Sequence, residues 1–462
     1  MSENTKSYNV AMIGAGPASL YGAAKLASEG HNVVILNRDI KHGGLAEYGI
    51  YLNKYKMKRG LRKMFARILS DERVHYYGNV TVGNQGSVTL EEVQSLGFDA
   101  TIVAVGAQGT KWLDLPGERA PGVYHAKDLV YHYNNLPPFS EQDFAIGSRV
   151  VVVGFGNVAL DIVHWLVCEK KVEEVILVAR RGPAERACTP KELKLVSGAM
   201  HLDALREEFA RIGENLEALG QDVEAEFEEF TKYAAEPLET ESGTRLTARF
   251  LRSPARIEVD EETGHVTGLT CDITRMKPAT REGGRPGVEK VGEQETIACD
   301  TVVFAIGDSI EPSIGLPLEP KWKSTFATVP EAWEGNPDAP RYMVYDPERD
   351  EPVWGTFVVG WARKASDGLV GKARADAETG VKEVVGYLNG AFEQGPTGTH
   401  TPIEELVSKL ETFLQERDVN FVDYDAVKAI EAREQILAKE HGVQEYKFAS
   451  NKEMLSLLLE RG

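Results

Sequence analysis

Two glycine-rich turns about 140 residues apart, each set between an apolar strand-like run and a helical run, predict an α/β protein with two Rossmann-like dinucleotide-binding domains. A second pair of apolar runs, each entering a glycine turn, marks where the two nucleotide-binding units close. The second domain is expected to be inserted into the first.

The elements follow in chain order. Residues 8–36 read as strand, turn, helix and strand: YNVAMIG, AGPASLYGAAKLASEG and HNVVIL. Residues 149–178 repeat that order as RVVVVGFG, NVALDIVHWLVCEKK and VEEVILV. TIVAVGAQG at 101–109 and TVVFAIGDS at 301–309 are the echoing pair of buried strands. Between Ala199 and Pro237 a Glu-rich amphipathic stretch predicts helix, and from Ser242 to Cys299 short alternating runs with Gly and Pro turns predict strands. Both read as additions to the second domain. Pro402 to Gly462 is polar and helical, broken in the middle by LQERDVNFVDYDAV. The expected division is residues 1–110 for the first part of one domain, 111–330 for the inserted domain, and 331–462 for the remainder with a helical extension.

Composition narrows the function classes. The 462 residues carry 52 Lys+Arg against 71 Asp+Glu, a net charge of −19, which repels nucleic-acid backbones and anionic lipid. No nucleic-acid or membrane partner is expected. Cys168, Cys188, Cys271 and Cys299 form no C-x-x-C pair and no metal-ligand spacing, so redox chemistry in this chain calls for a bound organic cofactor. No metal site is expected. An apolar run begins by Tyr8 and no stretch of about 18 uncharged apolar residues occurs, so a cytoplasmic location is expected.

The first turn is Gly14-Ala15-Gly16-Pro17-Ala18-Ser19. Gly14 permits the tight turn, Gly16 lets the backbone approach a pyrophosphate, and the amides opening the helix face that anion. Ser19 takes the small third position. Asn37 stands at the strand end where a carboxylate usually holds ribose hydroxyls, and an amide is also able to bond a hydroxyl. In the second turn, Gly154-Phe155-Gly156-Asn157-Val158-Ala159, the following strand ends in Ala179-Arg180-Arg181. Paired guanidiniums bind a 2′-phosphate where a carboxylate would repel it, which favours NADP(H) over NAD(H). Two such sites in one chain suit FAD as the fixed redox group at the first and NADPH as the exchangeable hydride donor at the second.

With these motifs in hand, the chain resembles the adrenodoxin reductase-type ferredoxin-NADP reductases, flavoproteins related more distantly to the small chain of glutamate synthase. The likeness runs through GAGPASLYGA, GGLAEYG (43–49), YYGNVTVG (76–83), LPGERAPGVYHAKDLVYHYNNLP (115–137), GFGNVALDIV, ARRGPAERACTPKEL (179–193), FLRSPARIE and GWARKASDGLVG (360–371), and on to VNFVDYDAV and NKEMLSLLLERG. It implies FAD contacts at Ala18, Gly44, Leu45, Val82, Trp361, Gly368, Leu369 and Val370. It implies NADP(H) contacts at Gly156, Asn157, Val158, Arg180, Arg181 and Glu192, with Gly368 near the nicotinamide.

Departures from the family pattern surround the expected flavin. Asn37 replaces a ribose-binding Glu, Glu47 replaces an Arg, and Leu52-Asn53-Lys54 replaces Pro-Asp-His. The function implied is hydride transfer from NADPH to FAD, then single-electron transfer to a ferredoxin-type iron-sulfur protein, or the reverse. Two alternatives stay open: a flavin subunit of a larger iron-sulfur complex, and a non-catalytic nucleotide-binding regulator. For an acidic ferredoxin, the acid-free run 53–67 supplies a candidate docking patch in Lys54, Lys56, Lys58, Arg59, Arg62 and Lys63.

Overall fold

The computed structural model describes residues 6–281, 283–321, 323–331, 339–364, 370–392, 394–396 and 401–459. The chain divides into two compact units: Met1–Thr110 with Tyr131–Glu141 and Asp308–Gly462, and Lys111–Val130 with Gln142–Gly307. Residues 131–141 and 308–330 thus group with the first unit.

The first unit is built on a six-stranded sheet in the order Met343–Asp346, Glu351–Val358, Ala100–Val103, Asn9–Ile13, Asn32–Leu36, Val74–Tyr77. Every neighbouring pair is parallel except the first, which is antiparallel. The central strand is buried on both faces, as its unbroken apolar run demands. Its alternate residues divide the core. Val10 and Met12 join Leu20 and Ala23 of the helix Pro17–Ser28 and Ala377 and Val381 of Val370–Leu388. Ala11 and Ile13 join Leu406, Leu410 and Leu414, which share one stripe of the helix Ile403–Glu416. The run LQERDVNFVDYDAV breaks the C-terminal helices as expected, since Val422 leaves helix to pair with Gly78 before Tyr424–Glu440 begins.

The second unit holds a five-stranded parallel sheet, ordered Val123–His125, Thr301–Phe304, Arg149–Val153, Glu174–Val178, Arg245–Arg249. An antiparallel sheet of Arg252–Val259, Val266–Lys277 and Gly287–Ala298 packs Ile257, Leu269, Cys271 and Ile297 against Val151, Val153, Ile176 and Val178. The Glu-rich stretch forms helices Leu202–Glu217 and Val223–Thr231. Phe227 packs on Phe209, Phe209 and Phe230 meet Phe250, and Phe230 and Phe250 meet Phe155, so the added helices pack onto the second glycine turn.

Candidate functional site

The two glycine turns are built alike. In each, the first glycine sits at positive φ, +98° for Gly14 and +124° for Gly154, and passes close over the end of the neighbouring strand. A Cβ would stand 2.8 Å from the Ala104 carbonyl oxygen at Gly14 and 2.3 Å from that of Ala305 at Gly154, so neither position admits a side chain. At the second glycines the opposite holds: a Cβ on Gly16 or Gly156 would meet nothing within 4 Å among the described residues. Each of these glycines caps a helix, Pro17–Ser28 or Asn157–Trp165, that has no side-chain cap and no acid in its first turn. Bare amides beside open space, with the helix dipole behind them, are what a pyrophosphate needs. Ser19 and Ala159, the third positions, are fully buried where helix and strand pack.

Two chain segments close on the first turn. A Cβ on Gly44 would lie 3.1 Å from Gly16 Cα, and one on Gly360, which precedes Trp361, would lie 2.7 Å from Ala18 Cβ. Asp376 fixes that second approach by accepting from the Gly360 amide at 2.7 Å, a contact no local motif announces because it comes from the following helix. The buried Ser19 Oγ and Trp361 Nε1 have no hydrogen-bond partner among the described residues, so polar groups are left for a ligand. Val82 packs with Ile13 and Ala362, Leu45 packs against Tyr48 and Tyr131, and Val370 opens its helix against the main core. Gly368 and Leu369 lie outside the described residues.

Asn37 departs from its expected role at the ribose. Its Oδ1 accepts from the Ala15 amide at 3.0 Å, and its Nδ2 donates to the carbonyls of Asp39 and Lys41 and to the Tyr76 hydroxyl. Both amide protons are spent within the protein. Asn37 therefore braces the turn from below, and only one lone pair of Oδ1 remains.

At the second turn, Gly154 N donates to Val178 O, which sets the glycine turn beside the strand that runs into Arg180 and Arg181. The loop before the helix Pro190–Ser197 is tied back twice, through Ala187 N to Phe155 O at 2.9 Å and Thr189 N to Asn157 Oδ1 at 2.8 Å. That loop carries Glu192 into the first turn of its helix, so Phe155, Asn157 and Glu192 come together. Val158 is 48% exposed at the open end of the turn.

The proposed basic patch divides when the chain folds. Lys56, Arg59, Lys63 and Arg67 line the outer face of the helix Tyr55–Leu69, next to the exposed Met57 and Met64. Lys58 and Arg62 do not belong to that face. Spaced with Phe65 and Leu69, they point inward, where Lys58 is 0% exposed and donates to Asn134 Oδ1 at 2.8 Å. Arg62 binds Glu47 with both Nε and Nη2 and also pairs with Glu445. Lys447 reaches Glu47 as well, at 3.0 Å to its carboxylate and 2.8 Å to its carbonyl. Burial alone would raise the Glu47 carboxyl, but Lys447, Lys41 and Arg62 hold it well below the usual range. The Arg-to-Glu departure is thus matched by cations, two of them from helix Tyr55–Leu69 and the C-terminal segment. Burial and the nearby Lys447 push Lys58 down to about 8.

All four cysteines are free, and burial pushes the thiols of Cys271 and Cys299 up to about 12. Among the described residues no group of three or more His, Cys, Asp or Glu is placed to hold a metal ion. No described helix is long and apolar enough to cross a membrane.

A family model described as pyridine nucleotide-disulphide oxidoreductase matches residues 8–321. The chain belongs to that family. Within it, the chain is similar to the NADPH-ferredoxin reductase FprA of Mycobacterium leprae, 27% identical over 480 residues, covering 97% of this chain and 98% of the relative. It is also similar to the mitochondrial NADPH:adrenodoxin oxidoreductase of Arabidopsis thaliana, 27% identical over 98% of this chain and 96% of that one. Among solved structures, Mycobacterium tuberculosis FprA in complex with NADPH superposes with a TM-score of 0.77 at 26% identity, covering 98% of this chain and all of that one. The pyridine nucleotide-disulphide oxidoreductase fold, with its two nucleotide-binding units, is therefore the fold of this protein. The disulphide of the family's description has no counterpart in its four free cysteines.

Proposed function

We propose that the protein is an FAD-dependent oxidoreductase that takes hydride from NADPH and passes electrons singly to a ferredoxin-type iron-sulfur protein, or runs that sequence in reverse. The observation that carries this reading is the duplicated turn, two uncapped helix N-termini beside open space, of which only the second is followed by paired arginines. The full-length similarity to reductases of ferredoxin and adrenodoxin supports it. The first unit would hold FAD and the second NADP(H), in a protein of the cytoplasm.

A flavin supplies two-electron exchange with a nicotinamide and one-electron exchange with an iron-sulfur centre. The chain's part is to bind and orient. The amides of Ala18 and Ser19 would hold the FAD pyrophosphate, and the Trp361 indole N–H would serve as a donor beside it. Those of Val158 and Ala159 would hold the second pyrophosphate, with Arg180 and Arg181 taking the 2′-phosphate as charge-assisted forks. The acidic partner would dock on Lys56, Arg59, Lys63 and Arg67, the outward half of the basic helix, with Met57 and Met64 as apolar contacts.

Anaerobic titration tests the reading. The purified protein is expected to show flavin absorbance that NADPH bleaches and NADH bleaches far less efficiently, and to reduce a ferredoxin in the steady state. Protein without flavin, or bleaching that does not distinguish the two nucleotides, would overturn it.

A further inference from the structure

On the three-stranded antiparallel sheet of the second unit, most cations of the strands are paired. Arg275 and Lys277 share Glu289, Lys290 pairs with Asp272, and Arg252 pairs with Glu295. Arg285, in the turn between the hairpin strands Val266–Lys277 and Gly287–Ala298, is exposed and has no carboxylate partner among the described residues. Its turn is fastened to the paired arginines. Arg181 Nε donates to the carbonyl of Pro286 at 3.0 Å, Thr274 Oγ1 to that of Arg180 at 3.1 Å, and the Gly182 amide meets Met276 Sδ at 3.3 Å. Asn215 of the helix Leu202–Glu217 clamps Met276 through both its amide and its carbonyl. After burial, the like charges of Arg180 and then Arg285 depress Arg181, and Glu185 opposes them. Glu185 is itself engaged by Gln221 at 2.8 Å.

Three guanidiniums without a carboxylate partner among the described residues, on a strand end and on the turn fastened to it, are costly in the absence of an anion to share. We propose that Arg285 is a third ligand of the nucleotide 2′-phosphate, so that the hairpin, and not the strand end alone, sets the preference for the phosphorylated dinucleotide. The inference rests on the NADP(H) reading of the second turn and adds a residue that lies about a hundred positions beyond it in sequence. Arg181 Nε is occupied by the Pro286 carbonyl, which leaves Arg181 its terminal nitrogens for the phosphate and ties it to the residue that follows Arg285.

Calorimetry on the intact protein with 2′,5′-ADP and 5′-AMP as probes decides the matter without turnover. Arg285→Ala is expected to weaken 2′,5′-ADP about tenfold, the scale of one exposed charge-assisted phosphate contact, and to flatten the salt dependence of binding. Arg285→Lys should retain part of that affinity, and 5′-AMP should bind wild type and both variants alike. If Arg285→Ala binds 2′,5′-ADP as wild type does while Arg180→Ala and Arg181→Ala bind it weakly, Arg285 has no such role and the NADP(H) reading stands. If wild type itself fails to prefer 2′,5′-ADP over 5′-AMP, the 2′-phosphate reading falls with it.

Discussion

The four turn glycines separate two demands that one motif combines. Gly14 and Gly154 serve the fold, because positive φ and the neighbouring carbonyl leave no room for a Cβ. Gly14→Ala is expected to cost about 2–3 kcal/mol in stability, read from denaturant unfolding. Gly16 and Gly156 are proposed to serve the ligand, since among the described residues nothing lies within 4 Å of where a Cβ on either would stand. Gly16→Ala should therefore unfold near the wild-type midpoint yet be purified with much less flavin, and unchanged flavin content would remove the pyrophosphate from this turn. Asn37 shows where such motif reading ends. Its position in the pattern suggested a ribose contact, whereas its buried amide serves Ala15, Asp39, Lys41 and Tyr76. Those partners include a tyrosine on the next strand, which local sequence does not disclose.

Among the elements, the basic helix shows how one run of charge divides by helical phase. Reversing Lys56, Arg59 and Lys63 to Glu should leave stability within about 0.5 kcal/mol, raise KM for a ferredoxin, and weaken its salt dependence. Arg62→Ala should do the reverse. It leaves the buried Glu47 with Lys447 and Lys41 and is expected to destabilise by about 2 kcal/mol, with little direct effect on ferredoxin KM. An equal loss of stability from both variants would contradict the inward assignment of Arg62. The strands and glycine turns were legible because period and turn chemistry are local. Lys58 and Arg62 were not, because in composition they look like solvated cations and their partner Glu445 lies near the other end of the chain. Arg285 was hidden for the same reason, since a hairpin turn carries no nucleotide motif.

Across the whole molecule, two buried histidines contribute to the response to acid. His42 is enclosed by Phe65, Tyr76 and Tyr424, and burial pushes its pKa down to about 4. His125, in the second unit, is likewise pushed down to about 4, by burial and then by Lys127. In each case the unfolded chain binds a proton between pH 6.5 and about 4 that the folded protein refuses. Stability is therefore lost as pH falls through that window, by up to about 3 kcal/mol per histidine. In paired melts, His42→Phe should gain on wild type progressively from pH 6.5 toward 4, and a difference independent of pH would refute the assignment. The division of the chain also orders its birth on the ribosome. By Gly307 every strand of the second unit has been synthesised, while the first unit still awaits the strands at 343–358 and the leucines of Ile403–Glu416. The turn of Gly14 to Ser19 is thus made long before the strands and leucines that complete its unit, and a ribosome stalled before residue 403 would carry a finished second unit and an open first one.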